Sequence, residues 1–185
     1  MPDEERKVAE LAAACVRFVS TRYGVMPDFT PDTLSLIDQW LRDARPEVKE
    51  RPESEPIVVG AAGAYFGEVV RTHFGGAWQI KDPEDPTVWR ICLSEVYCAF
   101  NPLGMAREAL WVEPSEGWHA HLDLDPGERE GIEARLSALP EVPDEEYYAP
   151  TTRFDVLSMV VDALREGMRA RGMADVRFTP EDYDE

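Results

Sequence analysis

The sequence predicts an α+β domain in which helices pack on a small antiparallel sheet of three to four strands. Apolar residues recur every three to four positions near both ends of the chain, which is typical of amphipathic helices. Residues 57–74 are apolar on nearly every side, which indicates a buried, glycine-rich central helix. Short strand-like segments follow before the pattern becomes helical again. This order of helices, a meander and further helices favours the α+β class.

Residues 1–45 are predicted to form a pair of helices at the N-terminus of the chain. The first is amphipathic and is expected to end at Gly24. The second begins after the capping residue Thr30 and is expected to stop before Pro46. Residues 46–56 contain three prolines and four glutamates, so we expect an exposed and mobile acidic connector there.

Residues 57–178 are predicted to form the α+β core of one domain that spans residues 1–185. Gly60, Gly63 and Gly67 lie in one narrow sector of the central helix. Each glycine costs about 1 kcal/mol relative to alanine in a helix, so we expect another element to pack closely there. Strands are expected at 77–81, 87–94, 96–100 and 117–123, and helices at 101–111, 125–139 and 152–171. The acidic tail, 179–185, is expected to be frayed.

The charge of the chain narrows the classes of partner. Acidic residues outnumber basic residues by 37 to 19, which gives a formal net charge of −18. Lys and Arg supply much of the affinity of proteins for nucleic acids and for anionic membranes, so we expect neither as a partner. The charge favours rapid association with a basic protein. The acidic proteome of a salt-adapted organism would give the same composition, and the sequence leaves that alternative open.

The cysteines and the N-terminal sequence both point to a reducing compartment. Cys15, Cys92 and Cys98 lie in apolar segments, so we expect buried, reduced thiols. The chain does not start with a basic segment followed by an apolar run, so we expect no signal peptide and a cytoplasmic location.

One motif could bind a metal ion. If residues 117–123 form a strand, then His119, His121 and Asp123 lie on one face and could converge on a divalent ion. The string resembles the His-x-His-x-Asp-His motif of metallo-β-lactamase-fold hydrolases, but Leu124 stands where that motif has its last histidine. The alternative is an edge strand with polar residues on its wet face.

Glu68 is the one acidic residue in the predicted buried helix. Burial would raise the pKa of an isolated carboxyl there and suit it to general acid or base chemistry. An ion pair with Arg71, three residues later, would make Glu68 a structural buried acid, and we favour this interpretation. The chain has no Gly-x-Ser-x-Gly elbow, no phosphate-binding glycine loop and no Cys-x-x-Cys, so we assign no catalytic residue and expect no cofactor.

Two short motifs resemble those of an uncharacterised bacterial domain family. Residues 63–68 read Gly-Ala-Tyr-Phe-Gly-Glu, and residues 75–78 read Gly-Gly-Ala-Trp, where that family has a Gly-Ala-Tyr-x-Gly-Glu helix followed by a Gly-Gly-x-Trp turn. The likeness covers about residues 55–112. Domains of this kind occur in bacterial conflict and signalling settings, so the resemblance implies a protein-binding role and supplies no catalytic residues.

The leading hypothesis is a non-enzymatic, acidic protein-interaction domain with a basic bacterial partner. Its most specific form is an immunity-like protein or inhibitor whose carboxylates cover the cationic site of a toxin. The candidate partner-binding residues are Glu141, Asp144, Glu145 and Glu146. Two alternatives stay open: a metal-dependent hydrolase that uses the His119 motif, and a structural subunit of a homo-oligomer that associates through exposed aromatic residues.

Overall fold

The structure is a computed structural model that describes residues 3–184. Within that range the chain forms seven α-helices and a four-stranded antiparallel sheet, which confirms the α+β class. The helices are α1 (Asp3–Tyr23), α2 (Leu34–Glu50), α3 (Glu55–Phe74), α4 (Pro102–Trp111), α5 (Pro126–Ser137), α6 (Asp144–Tyr147) and α7 (Pro150–Ala170). The strands are β1 (Gly76–Gln79), β2 (Arg90–Leu93), β3 (Cys98–Phe100) and β4 (Asp123–Leu124).

The central helix α3 is buried along most of its length, as its apolar composition predicts. It packs mainly against α1 and α4 and ends at Gly75, which has a φ of 76° that favours glycine. Although α3 is apolar, neither it nor any other helix within residues 3–184 is long and apolar enough to cross a membrane.

Glycines of α3 allow neighbouring elements to approach its backbone. A Cβ atom added to Gly63 would lie 2.8 Å from the backbone nitrogen of Leu103 in α4. A Cβ added to Gly67 would collide with the indole ring of Trp78 in β1. The third glycine of the sector, Gly60, meets only the flexible end of a leucine side chain of α1. The close packing expected from the glycine sector is therefore present, and it is tightest against α4 and β1.

Asn101 fixes the start of α4 next to the loop that precedes β2. Its Oδ1 accepts hydrogen bonds from the backbone N–H groups of Leu103 and Gly104 at 2.9 and 3.2 Å. Its Nδ2 donates to the carbonyls of Pro86 and Thr87 at 2.9 and 3.0 Å. Because Asn101 is fully buried, these four bonds satisfy a polar side chain that has no access to water.

The sheet has the strand order β1-β2-β3-β4, with every neighbouring pair antiparallel. Alternate residues of a strand point to opposite faces. Ile91 and Leu93 therefore join the main core beneath the helices, whereas Cys92 and Ala99 belong to a second, smaller cluster on the other face. The sheet thus has two apolar faces, and both need a cover.

The face that carries Cys92 and Ala99 is covered by the C-terminal segment. Pro180–Tyr183 forms a short 3-10 helix, and Tyr183 is only 2% exposed. The Tyr183 hydroxyl donates a hydrogen bond to the carbonyl of Leu93 at 2.7 Å and accepts one from a backbone N–H of β3 at 3.1 Å. Burial strongly raises the pKa of this hydroxyl, so it stays protonated and able to donate.

The prediction of a frayed tail over residues 179–185 is therefore wrong up to Asp184, and Glu185 lies outside the described residues. The Asp182 carboxylate accepts a hydrogen bond at 2.7 Å from the backbone N–H at the start of the turn. Asp184 forms an ion pair with Lys81 at 2.8 Å. The acidic composition of this segment predicted exposure, but its one aromatic side chain, Tyr183, is buried against the sheet.

The predicted mobile connector, residues 46–56, is helical for most of its length. Helix α2 continues through Pro46, a 3-10 turn follows at Pro52–Ser54, and α3 begins directly afterwards. A proline inside a helix removes one backbone hydrogen bond and disfavours the helical state. Val48, in the last turn of α2, is only 1% exposed, and its burial favours continued helix beyond the proline.

Replacing Gly63 with alanine should destabilise the protein. The added methyl group would meet the Leu103 backbone, which cannot move without shifting α4, so we expect a loss of about 1–3 kcal/mol in the free energy of unfolding. The matched control is Gly131→Ala in α5, where a Cβ meets no atom within 4 Å. That variant should gain about 0.5–1 kcal/mol from helix propensity. Urea unfolding of both variants checks the prediction, and a stable Gly63→Ala protein would contradict it.

Tyr183→Phe should also lower stability, because it leaves the Cys98 N–H and the Leu93 carbonyl without this partner inside the protein. We expect a loss of about 1–3 kcal/mol, the usual cost of a buried unsatisfied polar group. Tyr147→Phe is the control, because Tyr147 is 49% exposed, and it should change stability by less than about 0.5 kcal/mol. Thermal unfolding followed by circular dichroism measures both. Equal melting temperatures for the two variants would show that the hydroxyl does not hold the tail.

Candidate functional site

The residues of the predicted metal motif do not share a face. Residues 117–122 do not form the predicted strand, because His119 has a left-handed φ of 50° and β4 begins only at Asp123. The exposed rings of His119 and His121 have centroids 6.1 Å apart, and Asp123 pairs with Arg90 at 3.6 Å. Within residues 3–184, no group of three His, Cys, Asp or Glu side chains is placed to hold a metal ion.

The three cysteines are free and buried, as predicted. Burial raises the pKa of the Cys92 thiol to about 11 and raises the pKa values of Cys15 and Cys98 further. A thiol must lose its proton to act as a nucleophile or a metal ligand. Burial in this protein therefore favours the unreactive form of all three.

Glu68 forms the ion pair that the structural interpretation predicted, together with a second contact that the sequence did not predict. Arg71 donates from Nε and NH2 to the carboxylate at 3.0 and 2.8 Å, and Trp78 Nε1 donates at 2.7 Å. Burial acts to raise the pKa of the Glu68 carboxyl, but these hydrogen bonds outweigh it and hold the pKa below its ordinary value. Glu68 therefore joins α3 to β1 as a charged acceptor. Its side chain is 20% exposed, so it is half-buried rather than fully enclosed.

The predicted partner-binding loop divides into one inward residue and three outward residues. Glu145 accepts hydrogen bonds from Arg45 at 3.0 Å and from Arg42 at 3.2 Å, which attach α6 to α2. Hydrogen bonds from Arg45 and then Arg42 hold the pKa of Glu145 below its ordinary value against the opposing effect of burial. Glu141, Asp144 and Glu146 are exposed. These three stay available to a partner, whereas Glu145 already has a structural role.

The five tryptophans do not supply an aromatic surface. Trp40 and Trp89 are buried, and the other three are half-buried at 78, 111 and 118. The large aromatic side chains that are exposed are Phe18 and Tyr147, which belong to α1 and α6. The oligomer hypothesis relied on exposed aromatic residues, and of the large aromatic side chains only Phe18 and Tyr147 are exposed on the described part of the chain.

A groove runs along α7 on the described part of the chain. Its volume is about 820 Å³, and we call it the α7 groove. Residues of α5 form one side, and Glu95 with the segment after α7 contributes to the other. The apolar lining residues are Ile132, Leu136, Met159, Val160, Ala163, Met168 and Ala174. The charged ones are Glu95, Arg135, Asp162, Arg165, Glu166, Arg169 and Arg177.

The charge balance of the α7 groove differs from that of the whole protein. Four arginines and three acids line it, whereas acids outnumber bases about two to one in the chain. Arg165 pairs with Glu95 at 2.6 Å, and Arg135 pairs with Glu166 at 3.6 Å. Arg169 and Arg177 form no ion pair with another residue in the described range, and the Arg177 guanidinium donates only to backbone carbonyls.

The sequence of α7 carries a pattern that could have predicted this groove. Met159 lies outside the buried apolar face of the helix and is 45% exposed. Arg165 and Arg169 follow at a spacing of four, so they occupy neighbouring positions on the helix surface. An exposed methionine next to spaced arginines, within an otherwise acidic chain, is the pattern that could have indicated the site.

Glu68→Gln should lower the free energy of unfolding by about 1 kcal/mol at pH 7, since the ion pair is lost but its partner Arg71 is 41% exposed. The folded-state pKa of Glu68 lies below its ordinary value of 4.5. Its stabilising effect is therefore present above that pH and is lost as the pH falls through the folded-state pKa. Urea unfolding from pH 7 to pH 3 should show the variant and the parent converging. The control Glu130→Gln, an exposed acid, should match the parent throughout, and a constant gap for Glu68→Gln would contradict the linkage.

Comparison with known proteins identifies a family but no function. No curated protein and no solved structure matches the chain. A model of the family of unknown function DUF6278 matches residues 1–98, which include α1, α2, α3, β1 and β2. Of the residues that line the α7 groove, only Glu95 falls within the matched range. The predicted resemblance to an uncharacterised domain family is confirmed, and the chain belongs to DUF6278.

Proposed function

We propose that this protein is a non-enzymatic protein-interaction domain that binds a basic protein, in the manner of an inhibitor or an immunity-like protein. The observation that carries the proposal is the uncompensated negative charge of residues 130–155. This stretch contains seven acidic residues and two arginines. Both arginines are engaged in ion pairs, Arg135 with Glu166 and Arg153 with Glu108.

The exposed carboxylates of this stretch have no such partners. Within residues 3–184, six of them form no ion pair: Glu130, Glu133, Glu141, Asp144, Glu146 and Asp155. Unpaired carboxylates in excess of bases oppose folding through self-repulsion of the net charge. A basic surface brought against them would remove that repulsion, which favours a cationic partner.

The perturbed pKa values support a binding role over a catalytic one. Catalytic acids, bases and nucleophiles generally have pKa values shifted toward the pH at which they work. The largest shifts in this chain are upward shifts of Cys15, Cys98 and Tyr183 caused by burial, and they move these groups away from neutral pH. Burial likewise raises the pKa of Tyr23 to about 12. Burial accounts for the shifts of the two cysteines and Tyr183, and for Tyr23 the hydrogen bond that its hydroxyl donates to Asp43 at 2.7 Å adds to the effect of burial.

A surface of this charge would act mainly on the rate of encounter. Attraction between opposite net charges extends over a Debye length of about 8–10 Å near physiological salt and increases the association rate constant. The dissociation rate depends on short-range contacts and responds less to salt. An inhibitor that must capture its target before the target acts benefits from a fast association step.

The salt dependence of association tests the proposal. The partner would be captured on immobilised protein from native-host extract and identified, and its rate constants measured between 50 mM and 500 mM salt. We expect a basic partner whose association rate constant falls about tenfold or more, while dissociation changes little. An acidic partner, or an association rate that does not respond to salt, would contradict the proposal and favour acidity as a property of the host proteome.

A charge-neutralising variant locates the surface. Glu141→Gln, Asp144→Asn and Glu146→Gln combined should lower the association rate constant about threefold or more at low salt. The control neutralises three exposed acids elsewhere, Glu4→Gln, Glu5→Gln and Glu53→Gln, with the same change in net charge. Equal effects of the two triple variants would show that the partner does not dock near residues 141–146.

A further inference from the structure

We infer that the α7 groove is the docking site for an amphipathic helix of a partner protein, with an apolar face toward α7 and carboxylates toward Arg169 and Arg177. The inference rests on the proposed function in one respect, that the chain binds a protein. It adds the place of contact and the chemistry of the docking segment.

The groove offers some apolar surface that the chain itself leaves open, chiefly at Met159. Met159 is 45% exposed and Leu136 and Ala163 are half-buried, whereas Val160 and Met168 beside them are already buried in the core. Methionine is flexible and polarizable, so it adapts to the side chains of a docked partner. An apolar strip of this kind gains free energy when a second apolar surface covers it.

The dimensions of the groove fit a short helix. Its α7 lining runs from Met159 to Arg169, and ten residue steps at a rise of 1.5 Å correspond to about 15 Å. A helix of about three turns has this length and presents anchors at positions i, i+3, i+4 and i+7. A small ligand would require enclosure on most of its surface. The groove is only partly enclosed, which favours a peptide segment over a small ligand.

The charged residues that line the groove determine which side chains the polar face of the docked helix should carry. Arg165 and Arg135 are occupied by Glu95 and Glu166, as described above, so they are not free to bind a partner. Arg169 is exposed and without an ion pair in the described range, and Arg177 bonds only to carbonyls of its own segment. Two guanidinium groups without a carboxylate partner, both lining the groove, match carboxylates, which a guanidinium can bind in bidentate geometry.

Net charge and groove charge act at different distances. The formal charge of −18 governs the approach of the whole partner, whereas Arg169 and Arg177 act on groups within a few ångströms. A basic protein can therefore present an acidic side of one helix to this groove. A second copy of this chain is disfavoured as the occupant, because two molecules of charge −18 repel each other on approach.

The test uses the full chain and two synthetic peptides of 15 residues, each with leucine at the anchor positions of one face. One peptide carries glutamate at four flanking positions and the other glutamine, with alanine elsewhere. Fluorescence anisotropy at 150 mM salt should give a dissociation constant about threefold to tenfold lower for the glutamate peptide. Long-range repulsion by the acidic protein opposes this peptide, so a preference for it must come from local contacts.

Variants assign the preference to the groove. The double variant Arg169→Gln and Arg177→Gln should bind both peptides equally, while the matched control, Arg17→Gln and Arg129→Gln, should keep the preference, since both control arginines are exposed and neither lines the groove. Met159→Asp should weaken binding of both peptides about tenfold, and Met26→Asp, at a methionine 73% exposed outside the groove, should not. Circular dichroism would verify that each variant is folded.

The outcomes separate this inference from the proposed function. Failure of either peptide to bind, absence of a glutamate preference, or equal effects of groove and control variants would overturn the docking site. None of these results depends on the salt response of a native partner. A salt-independent native partner together with a glutamate preference at the groove would overturn only the steering by net charge.

Discussion

The close approach of α4 and β1 to the backbone of α3 is the constraint on which the arrangement of the other elements depends. Gly63 admits the backbone of Leu103, and Gly67 admits the Trp78 ring. A side chain at Gly63 would push α4 away from α3, and one at Gly67 would displace the Trp78 ring and with it the contact of α3 with β1. With Trp78 held there, its indole N–H reaches Glu68 at 2.7 Å, which adds a charged contact between the same helix and strand.

Most arginines of this protein form ion pairs that connect its elements, so the arginines without an ion pair are informative. Arg45 attaches α6 through Glu145, and Arg107 bonds Glu55 at 2.8 Å at the start of α3. Because acidic residues greatly outnumber basic ones, carboxylates are available to pair with each arginine. Within residues 3–184, five arginines nevertheless form no ion pair, and of these five only Arg169 and Arg177 line the α7 groove. The proposed function and the inferred docking site therefore use two separate sets of unpaired charges: carboxylates of residues 130–155 and arginines of the α7 groove.

Patterns that depend on local chemistry were readable from the sequence, and those that depend on distant partners were not. The starts of the helices expected at 101–111 and 125–139 were predicted correctly. Asn101 and Asp125 are their N-caps, and a side chain that accepts hydrogen bonds from the next backbone N–H groups is a local property of the sequence. The continuation of α2 past Pro46 was not predicted, since burial of a later residue decided it. The strand predicted around His119 does not form, because that residue has a left-handed φ. The α7 groove was not predicted, because residues from three separate segments of the chain form it.

The position of Tyr183 in the chain has a consequence for biosynthesis. The hydroxyl of this residue bonds a carbonyl 90 residues earlier, so the ribosome completes the strands long before it makes their outer cover. During that interval Cys92, Ala99 and the edges of a narrow sheet are exposed to solvent or to a chaperone. Contacts of such sequence separation also slow folding, because a long loop must close before they form. A nascent chain of this protein therefore passes through a stage in which its strands have been made and one sheet face is still uncovered and open to aggregation.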